Sequence, residues 1–142
     1  MNKHAENFKK YLEEKDIKIF DIKDFEDERE TVVFQSTIAV EGQQLPTVVI
    51  TDNSVFPLIR VQILSMALKE KNQLELLKLL NGENAQYKPF KFYCDENGNL
   101  LMDACLVIDD GALTGELVYL MFGVIINYLE KSYSEIMKTI WN

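Results

Sequence analysis

The residues of this chain that could do chemistry are few, and the densest group is Asp95-Glu96-Asn97-Gly98-Asn99. Oxygen-bearing side chains at 95, 97 and 99 match the opening of a calcium loop. Such a loop also needs glycine at its sixth position and a bidentate glutamate at its twelfth. Counted from Asp95, those positions are Leu100 and Leu106, and Gly98 comes too early. The spacing therefore argues against calcium. Asn97-Gly98 between apolar runs is instead the sequence of a type I′ hairpin turn, whose two central residues both need positive φ.

Nucleophilic chemistry lacks a base. His4 is the only histidine and stands beside a terminus expected to fray, so neither Cys94 nor Cys105 has an activating partner. Two cysteines and one distant histidine also lack zinc-ligand spacing. The acidic run Asp24, Glu26, Asp27, Glu28 and Glu30 could grip a cation or a basic partner, and reads more simply as a solvated loop. Asp109-Asp110-Gly111 could supply paired carboxylates for acid–base work, and reads more simply as a polar connection. Gly111 and Gly115 do not have phosphate-loop spacing. No catalytic, cofactor-binding or metal-binding residue is assigned, no partner-binding residue is singled out, and the expectation is a protein that is not an enzyme and carries no cofactor.

The elements that would position these groups follow from periodicity. Residues 3 to 15 form an amphipathic helix with Phe8 and Leu12 inward. Residues 17 to 25 are either a strand or an extended lead-in. ETVVFQSTIAV alternates as a strand with Val32, Phe34, Ile38 and Val40 on one face, and LPTVVIT and PLIRVQILSMAL continue it as a three-strand antiparallel meander. Asn72 with Glu75 is a capping box opening a leucine-rich helix that Pro89 closes. A hairpin of residues 90–95 and 100–108 follows. Pairing about Asn97-Gly98 sets Cys94 opposite Leu101 and Cys105 opposite Phe90, leaving the sulfurs roughly 13 Å apart at the usual strand rise. No disulfide spans that distance, so two reduced, buried or half-buried thiols are expected.

Thr114 caps the next helix, with Leu113 and Val118 as its hydrophobic staple. Ser132 with Glu135 opens a last one, whose stripe Tyr133, Ile136, Met137, Ile140 and Trp141 reads as buried. The order is α-βββ-α-ββ-α-α, an α+β fold in a single domain covering residues 1–142. On the Thr114 helix, Leu117, Val118, Met121, Phe122, Val124, Ile125, Ile126, Tyr128 and Leu129 fill an apolar arc of about 200°. One sheet-facing stripe needs about half of that. The surplus is covered either by the chain's own helices or by a second copy.

Bulk properties narrow the partners. The chain has 142 residues, 47% hydrophobic and 27% charged, as soluble domains do. A net charge of −8 with only Arg29 and Arg60 as arginines argues against nucleic acid. No signal-like start is present, and the longest greasy run, residues 117 to 129, is shorter than the ~20 residues that a bilayer requires. A cytoplasmic, soluble protein with no membrane partner is expected.

Three segments carry a family resemblance: FPLIRVQILSMAL, NQLELLKLLNGENAQYKPFKFYCDENGNLLMDACLVIDDG and YLEKSYSEIMKTIWN. Over roughly residues 5 to 142 the chain resembles the YbjN-like family, described as bacterial sensory-transduction regulators. It is similar in fold to the type III secretion chaperones, small α+β proteins that commonly pair as homodimers and hold partner polypeptides. Ser134 departs from the proline expected in the closing motif, and Gly82 interrupts a stretch usually helical. The resemblance implies no active-site residues. It implies a non-catalytic, protein-binding regulator or chaperone-like adaptor, working as a homodimer on a polypeptide partner. The competing reading is a small-molecule sensor or an unrecognised enzyme, marked by a pocket between sheet and helices with convergent polar groups.

Overall fold

The computed structural model describes residues 1–142. Alternating side chains build one antiparallel sheet from β1 (Asp21–Asp24), β2 (Val32–Val40), β3 (Gln43–Thr51), β4 (Leu58–Leu64), β5 (Lys91–Cys94) and β6 (Leu100–Cys105). Their spatial order is β1-β2-β3-β4-β6-β5. Three helices accompany it: α1 (Lys3–Glu14), α2 (Gln73–Gln86) and α3 (Gly115–Trp141). The fold is α+β, in the order α-ββββ-α-ββ-α. Val32, Phe34, Ile38 and Val40 of β2, Val49 of β3, Ile59 and Val61 of β4, and Leu100 and Met102 of β6 pack with the buried stripes of all three helices into one cluster.

The type I′ turn expected at Asn97-Gly98 forms elsewhere. Glu41 and Gly42 have φ of 48° and 77°, and Val40 pairs with Gln43, so the two-residue type I′ turn joins β2 to β3. At Asn97-Gly98 only the glycine has positive φ, 77°. The Gly98 N–H donates to Asp95 O at 3.0 Å and the Asp95 N–H to Asn99 O at 3.0 Å. This is a type I turn followed by a left-handed glycine, the three-residue hairpin loop with a bulge. Asp95 selects it: its Oδ1 accepts the N–H groups of Asn97 and Asn99, both at 2.9 Å, which closes an Asx turn. The register consequently moves by one, to Cys94 opposite Leu100. Cys94 is half-buried against the core, whereas Cys105 is exposed on the other face, so its expected burial is corrected; both thiols are free.

The C-terminal region also departs from expectation. Thr114 caps α3 through its hydroxyl, which accepts the Leu117 N–H at 3.2 Å, and the Leu113–Val118 staple is fully buried. The helix then continues through Ser132, so the two expected helices are one. Phe122, Ile125, Leu129, Ile136 and Ile140 keep a single buried face, and nothing in that run removes a backbone hydrogen bond. Trp141 is not in the core: it is 61% exposed. One residue beyond Ile140 is a further 100° around the helix, which turns the indole outward beneath Lys69, whose Nζ lies 4.2 Å from the ring centroid.

Asn72 is the other correction. It precedes α2 but makes no side-chain cap. Its side chain is buried, accepts the Lys69 N–H at 2.8 Å, and donates to Ala67 O at 2.8 Å and Ile140 O at 3.0 Å. One amide thus ties the entry of α2 to the last turn of α3. His4 is likewise far from frayed. It is fully buried, accepting the Leu113 N–H on Nδ1 at 3.0 Å, with Nε2 2.9 Å from Ser54 O. Those partners define the Nε2–H tautomer and fasten α1 to the segment that leads into α3.

Candidate functional site

The inward row of β2 reads Val32, Phe34, Ser36, Ile38, Val40, so Ser36 is its one small polar member. Directly across the β2–β3 ladder stands Thr47. Over this pair passes α3 at Gly123, where an added Cβ would meet nothing within 4 Å. Three small side chains thus coincide between sheet and helix. They leave an apolar pocket of about 400 Å³. Ile38, Phe122 and Ile126 form its walls, and Ile19 and Phe20 of the α1–β1 connection form its lip. The Phe20 and Phe122 rings stack at 6.3 Å, and Tyr119 meets Phe122 edge-on at 5.3 Å.

The pocket's electrostatics are those of an uncharged site. None of its 11 lining residues carries a charge. Burial, and then the neighbouring Tyr11, push the Tyr119 phenol above its ordinary pKa, so it stays protonated. The buried Thr47 hydroxyl donates to Leu45 O at 3.0 Å, which leaves its lone pairs to accept. No nucleophile–base pair forms here.

The opposite sheet face carries no helix. Val33, Val48, Ile50, Leu58 and Leu101 alternate with the core residues and stand outside the core cluster. At its centre, Arg60 on β4 grips Asp103 on β6 with both arms of its fork, Nε to Oδ1 at 2.8 Å and Nη2 to Oδ2 at 2.9 Å. The guanidinium carbon lies 5.9 Å from the Tyr93 ring centroid. Its hydrogen bonds to Asp103 raise the Arg60 pKa, while burial and then the Asp103 charge raise that of Tyr93. The result is a sheet face with an aliphatic patch beside one paired charge, flanked by Lys23 on β1 and Lys91 on β5.

The residues singled out in the sequence are dispersed around these two faces. Asp95 is the acceptor of its own turn, and backbone donation from Asn99 holds its carboxyl below the ordinary value of 3.8. Within the acidic run, Asp24 and Asp27 accept the N–H groups of Glu26 and Thr31, at 2.9 and 2.8 Å. They stabilise a bend between β1 and β2. Asp109 and Asp110 lie in the exposed connection from β6 to α3. Cys94 and Cys105 lie on opposite faces of the sheet, and burial raises the Cys94 thiol pKa away from reactivity. His4 meets neither cysteine; its ring nitrogens face Leu113 and Ser54.

Sequence reasoning missed the pocket, the Arg60–Asp103 fork and the buried Tyr128 hydroxyl. Tyr128 donates to Glu83 Oε1 at 2.8 Å, and burial, followed by that bond, holds the phenol far above its ordinary pKa. A signal for the pocket was present: Ser36 breaks an otherwise apolar inward row, and Gly123 sits in the middle of an apolar helix. Neither shows by itself that the two positions meet. No helix is long and apolar enough to cross a membrane. A family model named YbjN, described as "Putative bacterial sensory transduction regulator", matches residues 4–137. No curated protein matches the chain.

Proposed function

The chain belongs to the YbjN family, and from that premise we propose that it is a non-catalytic regulator that works in the cytoplasm by holding a polypeptide partner. The observation that carries this reading is the uncovered sheet face. Val48, Ile50 and Leu58 remain half-exposed there on adjacent strands, with buried Val33 opposite Ile50 at one end of the same row. A contiguous apolar surface of this kind marks an interaction site in a soluble protein. The Arg60–Asp103 pair at its centre is already neutralised and offers planar hydrogen bonding to a partner backbone or carboxylate. Such a face suits an extended or helical segment, as chaperone-like adaptors use.

Self-association belongs to the same proposal. Leu117, Met121 and Val124 are half-buried along one flank of α3, and Leu120 beside them is 62% exposed. Leu117, Met121 and Val124 belong to the apolar arc read from the sequence, Leu120 does not, and a symmetric pairing across α3 would cover all four. Sedimentation equilibrium at micromolar concentration tests the pairing, since a single species at the 16.5 kDa chain mass would exclude it.

The partner reading is tested by capture on the immobilised chain, comparing the parent with Leu58→Glu and with Leu120→Glu. The expected result is a protein retained by the parent and by Leu120→Glu, and released by Leu58→Glu. Equal retention by all three folded chains would place recognition elsewhere and refute the sheet-face assignment.

A further inference from the structure

We propose that the pocket over Ser36, Thr47 and Gly123 is a binding site for an uncharged, mainly apolar small molecule that carries a hydrogen-bond donor. Size comes first. An apolar cavity of about 150 Å³ already takes benzene. At about 400 Å³ this pocket accommodates two to three fused rings or a chain of similar bulk, and lies in the range of small-molecule sites.

Charge comes second. The chain has 23 acidic and 15 basic residues, yet none lines the pocket. An ionised ligand group would enter without a partner, at a large desolvation cost. Polarity comes third. Thr47 has committed its proton to Leu45 O, so it can only accept from a ligand. Ser36, directly opposite, supplies a second hydroxyl. A ligand with one donor therefore satisfies Thr47, whereas a pure hydrocarbon leaves it unmatched. Aromatic bulk is favoured because Phe20, Phe122 and Tyr119 surround the space.

This site lies on the helix side of β2 and β3, away from the uncovered face. Its test is therefore independent of the partner reading. The pocket is probed with three compounds of one shape: 1-naphthol, naphthalene and 1-naphthoate. Each is titrated at pH 7 into the ¹⁵N-labelled full chain and followed by amide chemical shifts. The expected result is saturable binding of 1-naphthol with shifts centred on Ser36, Thr47, Phe122 and Gly123. Naphthalene should bind more weakly, and 1-naphthoate at least tenfold more weakly than 1-naphthol. Gly123→Leu has room to project into the pocket and should reduce 1-naphthol affinity at least tenfold while the spectrum stays dispersed. Thr47→Val, close in shape, should bring 1-naphthol down to the affinity of naphthalene.

Three results would overturn the proposal. One is the lack of saturable shifts at those amides up to the solubility of 1-naphthol. Another is equal binding of the naphthoate. The third is a movement of the same amides with protein concentration alone, which would mean that a side chain of a second copy fills the pocket.

Discussion

Replacing Asn72 by alanine tests whether one buried amide holds the two ends of the helical layer together. The side chain is 3% exposed and makes three hydrogen bonds, from Lys69 N–H at 2.8 Å and to Ala67 O and Ile140 O at 2.8 and 3.0 Å. Each made bond contributes about 0.5–1.5 kcal/mol net, and a buried group left unpaired costs about 1–3 kcal/mol. Three bonds at the middle of the first range total about 3 kcal/mol. Water reaching the amide of exposed Lys69 lowers that figure, while stranding the Ala67 and Ile140 carbonyls raises it. A loss of about 2–4 kcal/mol follows, a large share of the ~5–15 kcal/mol that holds a typical domain folded. With a urea slope of about 2 kcal/mol per molar, the midpoint should fall by about 1–2 M. Asn72→Asp separates the contributions: it keeps the acceptor for Lys69 but sets a carboxylate against two carbonyls, so it should be at least as damaging. Amide exchange in the last turn of α3 should accelerate in both variants. A midpoint shift in Asn72→Ala below about 0.3 M would refute the reasoning, because it would mean that the amide's bonds contribute no more than solvent would.

Three other outcomes are expected. Ile136→Ala should cost about 2–5 kcal/mol, as for a buried aliphatic side chain, whereas Trp141→Ala should cost under about 1 kcal/mol, because only an exposed cation–π contact is lost; chemical denaturation of both checks the order. Gly115→Ala should destabilise the start of α3, since an added Cβ would run into the Tyr11 ring, and Tyr11→Ala in the same chain should restore part of the loss, as read by melting temperature. Asp27 and Asp95 have pKa values lowered by donation from the backbone N–H groups of Thr31 and Asn99. Their stabilisation is therefore present above the ordinary value of 3.8 and lost as pH falls through the depressed folded values. A chain carrying Asp27→Asn and Asp95→Asn should lose less melting temperature than the parent between pH 5 and pH 2, and an equal loss would show that these carboxylates do not set the acid limb.

Much of the architecture is written in local physics. The period-2 rows of β2 and β3, the Phe8–Leu12 stripe of α1, and the Thr114 cap with its Leu113–Val118 staple each depend on residues a few positions apart, so the sequence alone determined them. It also limited histidine- and cysteine-based chemistry, because one histidine and two cysteines cannot be multiplied by folding.

What the tertiary structure decided lies wherever distant residues compete with a local rule. β1 has no buried side chain, so its short alternation left strand and extended lead-in both open; pairing with β2, Ile22 opposite Phe34, makes it a strand. The turn at Asp95 follows a carboxylate's reach to Asn97 and Asn99 and not the Asn-Gly dipeptide, and that choice moved the register by one residue. Asn72 gave up capping because Ala67 O and Ile140 O lie within reach of its amide. Trp141 faces water because the buried face of α3 ends at Ile140. The pocket is the clearest instance. Ser36, Thr47 and Gly123 are unremarkable small residues in three separate segments, and only the packing of α3 over the β2–β3 ladder turns their missing volume into one space.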